Sequence, residues 1–250
     1  MRKLGIIQPG KIGDIIICLP IAKWYYDRGY EVIWPVDMNI IDNFYQEGKH
    51  NYIPYVKFFP IEFDCHIARR MCSSHDCNTI IDLSFTIPGA HVGNTYFYLN
   101  QFDYTFDELK YHIANVPTYE KWNLHVKRNM EKEKQLVDLL CNYSEEDYDG
   151  FILVQESSSD QKREVDVCNP RLHRINIRPA TGSVFDWIST IESASKICVI
   201  ESSISNMIDQ LKIDVPDMTL MMKHGYYGPK LQHGDLLRGE PLLRGKWKKV

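Results

Sequence analysis

The stretch LGIIQPGKIGDIIICLP, residues 4–20, decides the fold, because a turn containing two glycines joins two apolar runs in it. Residues 4–7 predict a buried strand, and the spacing of apolar residues over 15–28 predicts a helix that ends just before Gly29. The apolar run 32–36 predicts a second strand. A strand, a helix and a strand in this order form a βαβ unit, which predicts a parallel sheet.

The same alternation continues through the rest of the chain. Further strands are predicted at 55–59, 79–85, 151–155, 174–178, 196–200 and 218–222, and helices at 39–48, 63–73, 106–114, 122–143, 184–195 and 203–211. Segment 144–150 is acidic and polar and ends in Gly, which is typical of a linker. The sequence therefore predicts an α/β protein of two Rossmann-like domains, residues 1–145 and 146–250.

Composition excludes several classes of protein. Apolar stretches such as 15–20 and 151–154 are much shorter than the ~20 residues of a membrane-spanning helix, so no transmembrane segment is expected. No signal peptide is recognised, and seven cysteines without regular spacing fit a reducing compartment, so we expect a cytoplasmic protein. A net charge of −4 gives no overall attraction for nucleic acid.

The basic residues near the end of the sequence are a local exception to this charge balance. They could meet phosphates or anionic lipid, or they could simply be solvated. They are Arg238, Arg244, Lys246, Lys248 and Lys249.

The turn between the first strand and helix is the first candidate site. In a parallel sheet ligands bind beyond the carboxyl ends of the strands, and Gly10 and Gly13 permit a tight turn with close backbone approach. Lys11 and Asp14 could act on a bound ligand there. Asp14 could equally cap the helix, and Lys11 could be solvated.

Two further strand ends, both in the second half, carry clusters of polar residues. After 196–200 come Glu201, Ser202, Ser203 and Asn206, at the start of a helix whose free N–H groups suit a diphosphate. After 151–155 come hydroxyls and cations. They include Ser157, Ser158, Lys162 and Arg163. Ser and Asn are also ordinary helix caps, which is the alternative for the first cluster.

Together these motifs resemble the heptosyltransferase-like family of GT-B glycosyltransferases. That family has a Gly-Asp turn after its first strand and a helix with a Leu-Pro pair, here Gly13-Asp14 and Leu19-Pro20. Its later signature, a helix ending in Ala, a strand, an acidic residue and Ser or Thr before a second helix, is similar to residues 191–206. The chain departs from the family at Ser203, where Gly is expected, and at Asn206, where His is expected.

The resemblance implies a GT-B-like fold, in which two Rossmann-like domains place their parallel sheets on a central cleft. It implies a nucleotide-diphosphate sugar as co-substrate, bound by the second domain, and no other cofactor. Asp14 would be the general base of an inverting, metal-independent transfer, and Lys162, Arg163 and the helix start at Ser202 would hold the leaving diphosphate. The acceptor stays open among a glycan, a protein and a base of modified DNA.

Other classes of protein share some of these sequence features. A degenerate, non-catalytic sugar or nucleotide binding module keeps the fold, whereas dehydrogenase and serine hydrolase motifs are absent. His91 follows a predicted strand and could touch acceptor or leaving group, or lie in a surface loop. No metal is expected, since one cysteine and histidine cluster lacks the spacing of a zinc module. It comprises Cys65, His66, Cys72, His75 and Cys77.

Overall fold

The chain folds into two compact units, each built around its own sheet. The computed structural model describes residues 2–46, 48–84, 91–92, 95–96, 105–141, 148–159, 161–165, 169–178, 182–223 and 242–250. Among these residues, the first unit contains everything up to His125 and also Leu242, and the second contains Val126–Lys223 and Leu243–Val250.

Strands and helices alternate along both units. The strands are β1 (Arg2–Ile7), β2 (Tyr30–Asp37), β3 (Tyr45–Gln46), β4 (His50–Asn51), β5 (Lys57–Ile61), β6 (Thr79–Asp82), β7 (His91–Val92), β8 (Thr95–Tyr96), β9 (Gly150–Gln155), β10 (Leu172–Asn176), β11 (Lys196–Ile200), β12 (Met218–Met221) and β13 (Trp247–Lys249). The α-helices are α1 (Ile12–Tyr26), α2 (Cys65–Ser74), α3 (Phe106–Ile113), α4 (Met130–Leu140), α5 (Ile188–Glu192) and α6 (Ser203–Leu211). Shorter 3₁₀ helices cover Ile41–Asn43, Thr118–Trp122 and Val184–Trp187.

The sheet of the first unit has the order β5-β2-β1-β6, and its strands are all parallel. Leu4, Ile6 and Ile7 of the central strand β1 are completely buried, because helices and neighbouring strands cover both faces of a parallel sheet. Helix α1 is buried without interruption from Asp14 to Ala22, which explains why its sequence is apolar on all sides.

The sheet of the second unit has the order β10-β9-β11-β12-β13 and is also parallel throughout. Its core includes Ile152, Val154, Cys198 and Ile200, which come from the two central strands. In both units the chain reverses its direction of progress across the sheet, as in doubly wound folds. The predicted α/β class with two parallel sheets is confirmed.

The two units divide earlier than the sequence suggested, after His125 and not at residue 145. The reason is helix α4, which a buried carboxylate fastens to α5. Glu133 is fully buried and accepts hydrogen bonds from Arg128 (Nε, 2.9 Å) and from the backbone N–H (3.0 Å) and hydroxyl (2.6 Å) of Ser189. Arg128 also pairs with Glu192, 2.8 Å away. These long-range polar contacts are invisible in a local pattern.

Some of the predicted helices differ from the structure in type or extent. The helix expected at 39–48 is the 3₁₀ turn Ile41–Asn43 followed by strands β3 and β4. The helix expected from residue 122 begins at Met130, where Asn129 caps it by accepting from the Lys132 N–H. Part of the basic segment is strand β13, whose Lys248 lies opposite Thr219 of β12. Residues 142–147 and Arg238 lie outside the described residues.

No helix in the described part of the chain is both long and apolar enough to cross a membrane.

Replacement of Glu133 by Gln tests the contact that assigns α4 to the second unit. The amide keeps the shape but removes the charge that Arg128 and Ser189 bind, so the free energy of unfolding should fall by at least about 2 kcal/mol. Urea unfolding followed by circular dichroism measures it. The matched control is Glu131→Gln, on the exposed side of the same helix, which should change stability by less than about 0.5 kcal/mol. Equal losses in both variants would contradict this assignment.

Candidate functional site

The first candidate site lies where the strand order of the first sheet reverses. From β1 the chain moves outwards to β2 and β5, and then returns to place β6 on the other side of β1. The carboxyl ends of β1 and β6 are therefore neighbours, and their residues Ile7 and Asp82 are directly paired. Such a switch point opens a crevice between the loops that follow the two strands, which is the usual place for a ligand.

Asp14 belongs to the first turn of α1, immediately beyond this switch point. Helix α1 begins at Ile12, so Asp14 is its third residue and not its cap, and the cap position is held by Lys11. The Asp14 side chain is only 8% exposed. Within the described residues its carboxylate accepts no hydrogen bond and forms no ion pair. Asp14 therefore does not cap helix α1 in this structure.

The turn that leads to Asp14 is closely packed and strained. A Cβ atom on Gly10 would lie 1.9 Å from Cε2 of Phe63, so a side chain at position 10 would have to displace this largely exposed ring. Lys11 is exposed and has a positive φ of 58° with ψ of 115°, a conformation that costs energy for a residue with a side chain. Gly13 is the second residue of α1, and the first N–H groups of a helix have no intrahelical partner.

A buried lysine that the sequence did not single out supports the same turn. Lys110 of α3 is 1% exposed, and its ammonium donates to Oε1 of Gln8 (2.8 Å) and to the carbonyl of Leu83 (2.6 Å). Gln8 follows β1 and Leu83 follows β6, so one side chain bridges both strand ends. Gln8 in turn donates from Nε2 to the carbonyl of Gly10, at 2.9 Å.

The charged groups around this turn affect the pKa of the buried thiol of Cys18. Burial raises the pKa of Cys18 to about 12, the Lys110 ammonium opposes the shift, and the carboxylates of Asp14 and Asp107 add to it. Cys18 lies one turn beyond Asp14 on α1. Lys110 and Asp14 thus act in opposite directions on the pKa of this thiol.

The second candidate site lies at the corresponding reversal in the second unit, between β9 and β11. Ser202 caps α6 by accepting from the Ile204 N–H, and Ser205 completes the capping box. The Ser202 hydroxyl also donates to Oε1 of Gln155, at 2.6 Å, and so links the ends of the two central strands. The sequence did not single out Gln155, although it is the last residue of a predicted strand.

Asn206, one turn into α6, has a buried side-chain amide beside Ser202. Its Nδ2 donates to the carbonyl of Ser202 at 3.0 Å, which fixes the orientation of the amide. Its Oδ1 is buried and has no hydrogen-bond partner among the described residues. Glu201 and Ser203 lie partly exposed beside it. A buried acceptor without a partner is rare and can be satisfied by a ligand donor.

The loop after β9 brings the other predicted residues together. Ser157 and Lys162 face each other in an isolated antiparallel bridge, and Ser158 closes the loop by donating from its N–H to the carbonyl of Gln161, at 2.8 Å. Lys162 is exposed, whereas Nε of Arg163 is buried and unpartnered among the described residues. The loop thus offers hydroxyls and two cations beyond a central strand.

His91 falls in a different setting from the predicted loop. It belongs to β7 and pairs with Tyr96 of the antiparallel strand β8. Its contact with a substrate stays a prediction.

No metal cluster emerges from the part of the chain that the structure describes. Nowhere in it do three or more His, Cys, Asp or Glu side chains come together as a metal site requires. Cys72 and Cys77 lie against the backbone of Gly5 instead, and the His75 ring packs on Phe59 with centroids 4.3 Å apart.

No protein-family model matches the chain, and no curated protein matches it. Several solved structures share its fold. A glycosyl transferase family 9 protein from Veillonella parvula is 11% identical, with a TM-score of 0.57 over 100% of this chain and 86% of the other. The iron-containing dodecameric glycosyltransferase TibC from enterotoxigenic E. coli is 11% identical, with a TM-score of 0.53 over 88% and 57% of the two chains. E. coli heptosyltransferase WaaC with ADP is 11% identical, with a TM-score of 0.51 over 100% and 93%.

These likenesses confirm the predicted resemblance to heptosyltransferase-like GT-B proteins at the level of the fold. At 11% identity they do not by themselves assign a substrate to the chain.

Replacement of Ser202 by Ala tests whether this hydroxyl holds the second site together. The variant loses the cap of α6 and the link to Gln155, so the free energy of unfolding should fall by about 1–2 kcal/mol. Ser203→Ala is the matched control, since no hydrogen bond of the Ser203 side chain is found among the described residues, and it should stay within about 0.5 kcal/mol of the parent. Urea unfolding measures both. An unchanged free energy of unfolding in Ser202→Ala would show that the Ser202 hydroxyl does not stabilise α6.

Proposed function

We propose that this chain is a glycosyltransferase that moves a sugar from a nucleotide-diphosphate sugar to a hydroxyl group of a glycan. The observation that carries the proposal is the Asp14 carboxylate, 8% exposed and without a partner among the described residues, at the switch point of the first sheet. A buried carboxylate that no protein cation or donor engages is free to accept a proton from a substrate. The shared fold with glycosyltransferases supports this reading.

Asp14 acts as the general base in this proposal. As the acceptor oxygen attacks the anomeric carbon, its proton passes to an Asp14 oxygen, and the bond between the anomeric carbon and the diphosphate oxygen breaks. The electron pair of that bond leaves with the nucleoside diphosphate. A single displacement of this kind inverts the configuration of the anomeric carbon.

The second unit supplies the groups that stabilise the departing diphosphate. Ser157, Ser158, Lys162 and Arg163 offer hydroxyls and positive charge from one loop, and the unpartnered Nε of Arg163 is a free donor among the described residues. The start of α6 adds the N–H groups near Ser202 and Ser203. Protein cations and N–H groups can neutralise the leaving group, so we propose a metal-independent reaction with no cofactor besides the sugar donor.

Two acceptor atoms of the second unit suit the nucleoside part of the donor. The buried Oδ1 of Asn206 can accept from a base N–H, and the carboxylate of Glu201 can accept from ribose hydroxyls. WaaC carries ADP in its structure, so ADP-sugars are the first donors to test. A glycan is the acceptor that we propose.

Replacement of Asp14 by Asn tests the proposal. The amide cannot take the proton, so kcat should fall by about 10²–10⁴-fold. Release of ADP from ADP-heptose is measured with methyl glycosides as acceptors, beside a panel of GDP-, UDP- and CMP-sugars. Binding of the nucleotide should be unchanged, which a thermal-shift series of ADP, GDP, UDP, CMP and NAD, with and without magnesium, reports.

Asp27→Asn is the matched control at the other end of α1. Asp27 is exposed, and its one ion pair among the described residues is the i,i+4 pair with Lys23, so turnover should stay within about twofold of the parent. If Asp14→Asn keeps full turnover, Asp14 is not the base. If the parent binds a nucleoside diphosphate but transfers no sugar, the chain is a binding module and the enzymatic proposal fails.

A further inference from the structure

Lys110 is a buried lysine whose ammonium contacts neutral groups among the described residues. Its ammonium is bound by two neutral oxygens, Oε1 of Gln8 and the carbonyl of Leu83, and lies 4.6 Å from the centroid of the Phe106 ring. No carboxylate forms an ion pair with it among the described residues. Removing a charge from water is costly unless an opposite charge compensates it, so such an arrangement needs a reason beyond packing.

A second buried lysine of the same unit shows the ordinary arrangement. Lys121 is 0% exposed, and its ammonium pairs with the carboxylate of Asp107 at 2.5 Å and also donates to the carbonyl of Leu242. Here the buried charge has its counter-ion. The two lysines have similar burial but different surroundings, so they form a natural comparison.

The contacts of Lys110 converge on the turn that carries Asp14. Because the ammonium binds Oε1 of Gln8, the amide can present only its NH₂ group to the other side, where it donates to the carbonyl of Gly10. The next residue, Lys11, is held at a φ of 58° that side chains rarely adopt. Strained backbone of this kind persists only where its surroundings fix it. The link from Lys110 through Gln8 to Gly10 is one such restraint.

We propose that Lys110 is a positioning residue for Asp14, which acts by locking Gln8 and thereby the Gly10–Gly13 turn in the conformation that aims the carboxylate at a substrate. This rests on the proposed role of Asp14 as base. Lys110 itself touches no reacting atom in this scheme. Its positive charge serves to hold the amide of Gln8 in one orientation, which a neutral donor of the same length would do more weakly.

The first test compares Lys110→Met with Lys121→Met by amide hydrogen exchange and kinetics. In Lys110→Met, peptides covering residues 8–14 should exchange about tenfold faster under native conditions. The kcat for ADP release from ADP-heptose should fall about 100-fold while the donor KM stays within about threefold. Lys121→Met should lose at least as much thermal stability, because it strands Asp107, yet keep the kcat of the folded protein within about threefold.

Gln8→Glu keeps the test decisive if Lys110→Met does not fold. A carboxylate at position 8 pairs with the Lys110 ammonium, so the melting temperature should not fall, but the bond to the Gly10 carbonyl is lost. Exchange of residues 8–14 should therefore rise and kcat should fall by about tenfold in a protein that is no less stable. A merely structural role for Lys110 predicts the reverse, with full activity in this variant.

A double variant separates this inference from the proposed function. If Lys110 acts through Asp14, adding Lys110→Met to Asp14→Asn should lower turnover no further. An Asp14→Asn protein with full turnover refutes the proposed base, and the exchange of residues 8–14 still decides whether Lys110 fixes the turn. Unchanged exchange in both Lys110→Met and Gln8→Glu, or wild-type kcat in either, overturns the positioning role while the base assignment stands.

Discussion

The first unit depends on the pairing of β1 with a parallel strand on each of its sides. Both edges of β1 are paired, one with β2 and one with β6, and its apolar side chains are buried. The helix α2 approaches its backbone closely at Gly5, where a Cβ would lie 2.7 Å from the Cys72 side chain. The chain leaves such a strand at its carboxyl end, beyond the hydrogen-bonded part of the sheet. The turn that follows β1 therefore lies where the strand order reverses, and it carries Asp14 to this position.

Both sheets use a glutamine amide at that reversal. Gln8 follows β1 and Gln155 ends β9, and in each case the amide oxygen accepts from a side chain contributed by another element. The donors differ: a buried ammonium holds Gln8, whereas the hydroxyl of the helix cap Ser202 holds Gln155. An ammonium gives the stronger restraint in a buried site, and the neutral hydroxyl leaves the second reversal without added charge.

The sequence predicted those elements whose formation depends on residues close together in the chain. The apolar runs around residues 4–7 and 196–200 predicted two central strands, and the polar residues at Ser202 predicted the start of α6. The segment 39–48 was wrong because its apolar residues are not spaced regularly enough to exclude a 3₁₀ turn and a short hairpin. Lys110 could not be found, because a lysine within an amphipathic helix is usually solvated. Its burial depends on Gln8 and Leu83, which are distant in sequence.

Strand β13 gives the second unit a particular order of assembly. Its residues Trp247–Lys249 pair with β12, and the backbone of Val250 continues the ladder to Leu220 and Met222, whereas Leu242 just before them binds Lys121 of the first unit. Between strands β12 and β13 of the second sheet, the chain thus contributes Leu242 to the first unit. During synthesis β12 keeps an open edge until residues 247–249 have emerged, so closure of that sheet is a late, non-local step, and until then the edge can pair with another chain.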